Sequence, residues 1–255
     1  MGHLVRKLEH FVRLSPADRA VLSRAAAERV RNLGPRLDIV REGERPKSVN
    51  LILAGWACRY KQLEDGRRQI VAFLLPGDLC DLNVFILPEM DHSIGTITPV
   101  TVAELSRDAF EELALAHPQV VQALWWETLV SAAVQREWTI NLGQRSAIER
   151  IAHLICELFL RLRSVGLTEQ TTCEWPITQI ELADSTGMTS VHVSRTLQEL
   201  RNLGLIKFKE RHLTICDLDG LMRLAMFNPN YLHLHPGGLS SDANDVENEP
   251  TNAVY

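Results

Sequence analysis

Ser190, Val191, His192, Ser194 and Arg195 crowd into a short stretch of the chain, and their chemistry suits reading DNA better than breaking bonds. Arginine presents two parallel donors that match O6 and N7 of guanine. Hydroxyls and neutral imidazole exchange hydrogen bonds with base edges or phosphates, and a valine suits a thymine methyl. Lys207, Lys209 and Arg211 follow at alternate positions, where cations would meet the phosphate backbone and add affinity without reading sequence. Residues 189–211 hold five Lys/Arg against two Asp/Glu in a chain of net charge −5, so the local sign opposes the global one. There is no P-loop, G-x-S-x-G or H-E-x-x-H motif, and no paired carboxylates stand by a histidine in a recognisable pattern, so an enzyme is not expected.

These side chains need a helix and a turn to hold them. Residues 177–205 read as two short helices joined at Gly187, which can take the positive φ of a tight turn. The first helix is apolar at Ile180, Leu182 and Ala183. Thr189 is an N-cap for the second, in which Val193, Leu197 and Leu200 pack inward while Ser190, His192, Ser194, Arg195 and Glu199 face out. An ordinary pair of solvated helices would share this pattern. The next segment separates the two possibilities: residues 205–215 alternate apolar and polar around a charged turn, the pattern of a two-stranded wing, and helices plus wing make a winged helix-turn-helix.

The rest of the chain reads as ordinary globular material with room for two domains: 255 residues, 45% hydrophobic and 23% charged. No run is long enough for a membrane span and the opening residues lack the apolar core of a signal peptide, so the expected location is cytoplasmic. Cys58, Cys80, Cys156, Cys173 and Cys216 are scattered and never spaced C-x-x-C. They are expected to be buried thiols, with no disulfide framework and no metal site. Residues 237–255 carry four acidic residues and no Lys or Arg, and read as a disordered acidic tail.

Toward the N-terminus, a helical opening with Leu8, Phe11 and Leu14 precedes a second helix from Ser15-Pro16 to about Arg31. Residues 37–105 then read as short strands punctuated by turns, with Asp65-Gly66 the clearest hairpin signal. Ser106 caps a short helix to His117. Pro118 starts a long one to about Asn141, whose apolar residues spread too widely for one narrow stripe, with small residues at Ser131-Ala132-Ala133. Such a helix contacts two surfaces, its own β-domain and the same helix of a second copy, which predicts a homodimer. The expected division is 1–117 for a β-roll with N-terminal helices, 118–143 for a central dimerisation helix, 144–221 for the winged domain and 222–255 for a C-terminal extension.

In this order the parts resemble the Crp/Fnr superfamily of bacterial transcription regulators, from about Leu8 to Leu221. The stretches that carry the likeness are Arg41-Glu42-Gly43-Glu44, residues 51–55 with Tyr60, residues 64–70 leading to Phe73-Leu74-Leu75-Pro76-Gly77-Asp78, residues 149–154 and residues 188–197. The resemblance implies an α+β fold with a cyclic-nucleotide-binding-like β-roll, a dimer on palindromic double-stranded DNA, and contact with RNA polymerase. An alternative is a signalling protein with the same sensor roll and vestigial DNA binding.

The departures from that family narrow the sensor. Members that bind cyclic AMP carry Gly-Glu-Leu and then Arg-Ser-Ala, with Arg and Ser on the cyclic phosphate. The corresponding residues here look like Gly77-Asp78-Leu79 and His92-Ser93-Ile94, which makes Gly77, Asp78, Leu79, His92 and Ser93 the pocket candidates. Aspartate is shorter than glutamate, and a histidine mostly neutral at pH 7 is a poor substitute for a permanently charged bidentate arginine, so cyclic AMP is not the expected ligand. Gln135-Arg136 stands where those members place Thr-Ser. The cysteine cluster of oxygen-sensing members is missing, since the first cysteine is Cys58. A haem ligand would have to be His92 or Cys80, and no cofactor is expected. Where the family frequently has Glu before the Ser-Arg pair, this chain has Val191, leaving the half-site open. The likeness is greatest to FixK-like regulators.

Overall fold

In a computed structural model, residues 2–82, 85, 86 and 88–234 are described. The N-terminal helix α1 (His3–Leu8) is followed by α2 (Pro16–Glu28), which opens on a reciprocal cap: Ser15 Oγ accepts from Asp18 N while the Asp18 carboxylate accepts from Ser15 N. Phe11 and Leu14 are buried in the turn between these helices rather than on a helix. The second helix also stops short of the expected Arg31. Residues 30–33 leave it to form an edge strand, β1 (Val30–Leu33), paired antiparallel with residues 100–103; tertiary pairing overrides a stretch whose local sequence allows either state.

The strands β2 (Asp38–Val40), β3 (Val49–Ala54), β4 (Ala57–Gln62), β5 (Arg68–Leu74), β6 (Ser93–Thr96) and β7 (Val100–Leu105) complete a roll of two antiparallel sheets, ordered β1-β7-β3 and β2-β6-β4-β5. Their inward residues, among them Leu51, Ile52, Ile70, Phe73, Ile94 and Val102, form the roll's core. At the turn after β5, Gly77 has φ +97°, and a Cβ there would sit 2.9 Å from the backbone of His3, so only glycine lets the N-terminal helix approach so closely.

After α3 (Arg107–Ala116), the long helix α4 (Pro118–Gly143) presents Val120, Ala123, Leu124, Val134 and Trp138 to the interior. Trp125 and Leu129 on its other side are 71% and 61% exposed. Residues 144–146 connect it to α5 (Ala147–Ser164), which opens the second domain with the cap pair Ser146 and Glu149. There β8 (Thr168–Glu169), β9 (Thr172–Glu174), α6 (Gln179–Thr186), α7 (Ser190–Asn202), β10 (Ile206–Lys209) and β11 (His212–Ile215) follow, with sheet order β10-β11-β9-β8. The last elements are α8 (Leu218–Leu224) and a 3-10 turn (Pro229–Leu232). The expected boundary at 221 therefore falls inside a helix, and the acidic tail lies outside the described residues.

Candidate nucleic-acid interface and sensor cleft

The helix-turn-helix is built by local chemistry. Thr178 and Glu181 cap α6, and Gly187 ends it at φ +66°, the left-handed conformation expected for the turn. Thr189 Oγ1 accepts from His192 N at 3.2 Å and starts α7, as the sequence suggested. Val193, Leu197 and Leu200 are buried, joined by Thr196, whose hydroxyl donates to His192 O. Ser190, Val191, His192, Ser194 and Arg195 all stand exposed on the opposite side. Ile180 does not belong to the core as expected: it is 64% exposed, because α6 buries Leu182, Ala183, Ser185 and Thr186 instead. The last two satisfy their hydroxyls on Leu182 O, which is how polar side chains enter the core without cost.

The wing forms as a hairpin with Ile206 opposite Ile215 and Lys209 opposite His212; Glu210 at its tip takes φ +55°. Lys207, Lys209 and Arg211 are exposed. Arg201 lies over the Phe208 ring at 5.3 Å and braces α7 against β10. An exposed helix face with a hydroxyl, imidazole and guanidinium row beside a cationic hairpin has the chemistry that major-groove reading with backbone anchoring needs.

The five pocket candidates in the roll do not converge on one site. Leu79 and His92 line an open cleft of about 630 Å³ between roll and α4, together with Arg59, Lys61, Asp81 and Gln135. Ser93 is buried and its hydroxyl accepts from Glu42 N. The His92 ring lies between Asp81 (3.2 Å) and Asp91 (2.6 Å). Burial opposes its charge, yet these two carboxylates outweigh it and raise its pKa above the usual histidine value.

Asp78 lines a smaller cavity that shares Leu79, Arg59 and Gln135 with this cleft, but its carboxylate is engaged inside the fold. It is buried, with Lys7 Nζ at 2.6 Å, Arg161 Nη2 at 2.7 Å and Leu75 N at 2.7 Å. Burial works against its charge, but the two cations and the amide outweigh it and hold the carboxyl at about 2. Lys7 also reaches Glu127 on α4, and Arg161 reaches Phe73 O and Glu157. The sequence reading missed this cluster, whose members come from α1, the roll, α4 and α5. Further contacts join the domains, among them Arg68 with Asp184 at 2.8 Å, Gln69 donating to Ser185 O, Arg6 donating to Val165 O, and the edge-on rings of Trp56 and Trp175.

Four cysteines are buried as expected, but Cys216, just past the wing, is exposed. Among the described residues no group of three or more His, Cys, Asp or Glu is arranged to hold a metal ion, and no helix is long and apolar enough to cross a membrane. Cys80 is buried, which pushes its thiol up and away from the thiolate a haem would need.

Residues 30–117 match the family model of a cyclic nucleotide-binding domain, and residues 149–224 that of a Crp-like helix-turn-helix domain. The transcriptional activatory protein AadR of Rhodopseudomonas palustris is 34% identical over 79% of this chain and 82% of its own length. The chain belongs to the Crp/Fnr family of transcription regulators. Another relative, the transcriptional activator protein FnrL of Cereibacter sphaeroides, is 30% identical over 73% of this chain and 76% of its own. Among solved structures, FixK2 from Bradyrhizobium japonicum superposes with a TM-score of 0.68 at 27% identity, covering 77% of this chain and 96% of that one. As a Crp/Fnr protein of FixK-like character, the chain is a DNA-binding transcription regulator.

Proposed function

We propose that this Crp/Fnr regulator binds a two-fold DNA site as a homodimer through α4, with Arg195 on a guanine, Ser190, Val191, His192 and Ser194 completing the base contacts, and Thr189, Lys207, Lys209 and Arg211 on phosphates. The observation that carries the dimer is the exposed stripe Trp125, Leu129, Ala132 and Arg136, which recurs at helical spacing along α4, while its buried side packs on the chain's own α1, α3, α5, 3-10 turn and β5. Two copies related through that stripe would present two recognition helices, which two-fold operators require about 34 Å apart. Regulation by contact with RNA polymerase belongs to the same reading, and the cytoplasm is the compartment it requires.

Selection of bound duplexes from random-sequence DNA, combined with sedimentation of the complex, tests it. Recovery of a palindrome bound by two chains is the expected result. Recovery of asymmetric sites bound by one chain would refute the reading.

A further inference from the structure

The segment after the wing turns away from the DNA-reading face. Helix α8 packs on α5 through Leu221 and Ala225, and the 3-10 turn carries Leu232 onto α4. These residues cover the place where α4 and α5 meet, which residues 144–146 alone join covalently. His153, fully buried near the start of α5, has the Phe227 ring 4.8 Å away and is stacked by Tyr231. Its Nδ1 accepts from Asn141 Nδ2 on α4. Burial and the nearby Arg145 charge push its pKa down to about 3, so it serves there as a neutral aromatic wedge.

The polar end of Tyr231 makes the decisive contact. Its hydroxyl donates to Glu157 Oε2 at 3.0 Å; this carboxylate is fully buried on α5. Glu157 also accepts from Trp138 Nε1 on α4 at 3.2 Å and from Arg161, whose other terminal nitrogen holds Asp78 of the roll. Thus one carboxylate links the C-terminal segment, the central helix and, through Arg161, the roll. The match to the helix-turn-helix family model ends at residue 224, and Phe227, Tyr231 and Leu232 lie beyond that match.

We propose that residues 217–234 are a positioning strap, in which Tyr231, by completing the hydrogen bonds of Glu157, fixes the angle between the central helix and the DNA-binding domain. Without that hydroxyl Glu157 keeps Trp138 and Arg161 but loses the one hydrogen bond that ties it to the C-terminal segment, and a buried carboxylate short of a partner holds its surroundings less tightly. In the dimer proposed above, on which the DNA arm of the test rests, that angle sets the separation of the two recognition helices.

The native thiols offer a direct measurement, since Cys216 is exposed and the other four cysteines are buried. Spin labels on Cys216 and on an exposed Glu64→Cys in the roll report the distance between domains when the doubly labelled chain is diluted into excess unlabelled chain. DNA affinity is measured in parallel with the two-fold duplex that the wild type selects from random sequence. For Tyr231→Phe, which keeps the ring stacked on His153, the distance distribution should broaden and affinity for that duplex fall about tenfold, the loss of one hydrogen bond to a charged group. Tyr231→Ala should broaden it further. An unchanged distribution in Tyr231→Phe overturns the proposal, and so does a broadened one with undiminished affinity. Should the wild type select no two-fold duplex, the dimer reading fails separately, and the distance measurement still decides the strap.

Discussion

Arg161, on the first helix of the DNA-binding domain, donates to the Asp78 carboxylate of the roll at 2.7 Å, with Lys7 on the other carboxylate oxygen at 2.6 Å. A carboxylate buried between two cations is worth little against an apolar replacement of the whole cluster. Removing it alone, however, leaves two buried positive charges facing each other.

Asp78→Asn should therefore cost about 2.5 kcal/mol near neutral pH, read by urea unfolding. The pH dependence has a definite sign. The carboxyl's pKa falls from 3.8 in the unfolded reference to about 2 in the fold, so its contribution is present above 3.8 and is lost as pH drops through about 2. The gap between wild type and Asp78→Asn should narrow from about pH 5 to about pH 3, because a protonated aspartate resembles asparagine. A gap that stays constant across that range would show that the ion cluster is not the source of the stability.

On the DNA face, Arg195→Ala should cost about 1–3 kcal/mol per half-site and relax the preference at one base pair, since a bidentate base contact goes while phosphate contacts stay. Lys209→Ala should instead weaken all sequences alike and lower the slope of affinity against salt by about one ion. Neither change touches the core, because both side chains are exposed. Binding titrations over a salt series, on the selected duplex and on single-base variants of it, separate the two behaviours.

What was legible in the sequence was what neighbours in sequence decide. The Thr189 cap, the left-handed Gly187 and the Lys207–Lys209 alternation involve partners a few residues apart, and the structure has them as expected. The Asp78 cluster was not legible: its partners lie 71 and 83 residues away, and nothing local marks Lys7 or Arg161 among the other cations. The same holds for Tyr231, 74 residues from Glu157. The strand at residues 30–33 was missed for a related reason, as its hydrogen-bonding partner is the distant β7. Burial of Ala133 also reassigns part of the small patch on α4: it packs inside the chain, and Ala132 is the exposed member.

That distinction shapes the test of assembly. An arginine at Ala133 would disturb the monomer's own core, whereas Leu129→Arg alters an exposed position and should leave each chain folded. In a two-fold interface it brings two like charges together with loss of apolar burial. Sedimentation at micromolar concentration should find Leu129→Arg monomeric and the wild type dimeric, with the variant's affinity for the two-fold duplex falling at least about a hundredfold as cooperation between half-sites is lost. A dimeric Leu129→Arg with full affinity would move the interface elsewhere.

Cyclic nucleotides should not regulate this protein. The acidic side chain that would meet a ribose is Asp78, and it is already committed to Lys7, Arg161 and a backbone amide inside the fold. The residue that would meet the cyclic phosphate is His92, and its two ring nitrogens already face Asp81 and Asp91. Those carboxylates hold both ring nitrogens and would repel an incoming phosphate. A ligand shifts a conformational equilibrium only by its difference in affinity for the two states, so a nucleotide that binds neither state shifts nothing. DNA affinity should stay within about twofold in millimolar cyclic AMP, a range too small to represent a population shift. Calorimetric titration is the sharper check: saturable heats in the micromolar range that vanish in His92→Ala would make that histidine a phosphate anchor and require Asp81 and Asp91 to move aside.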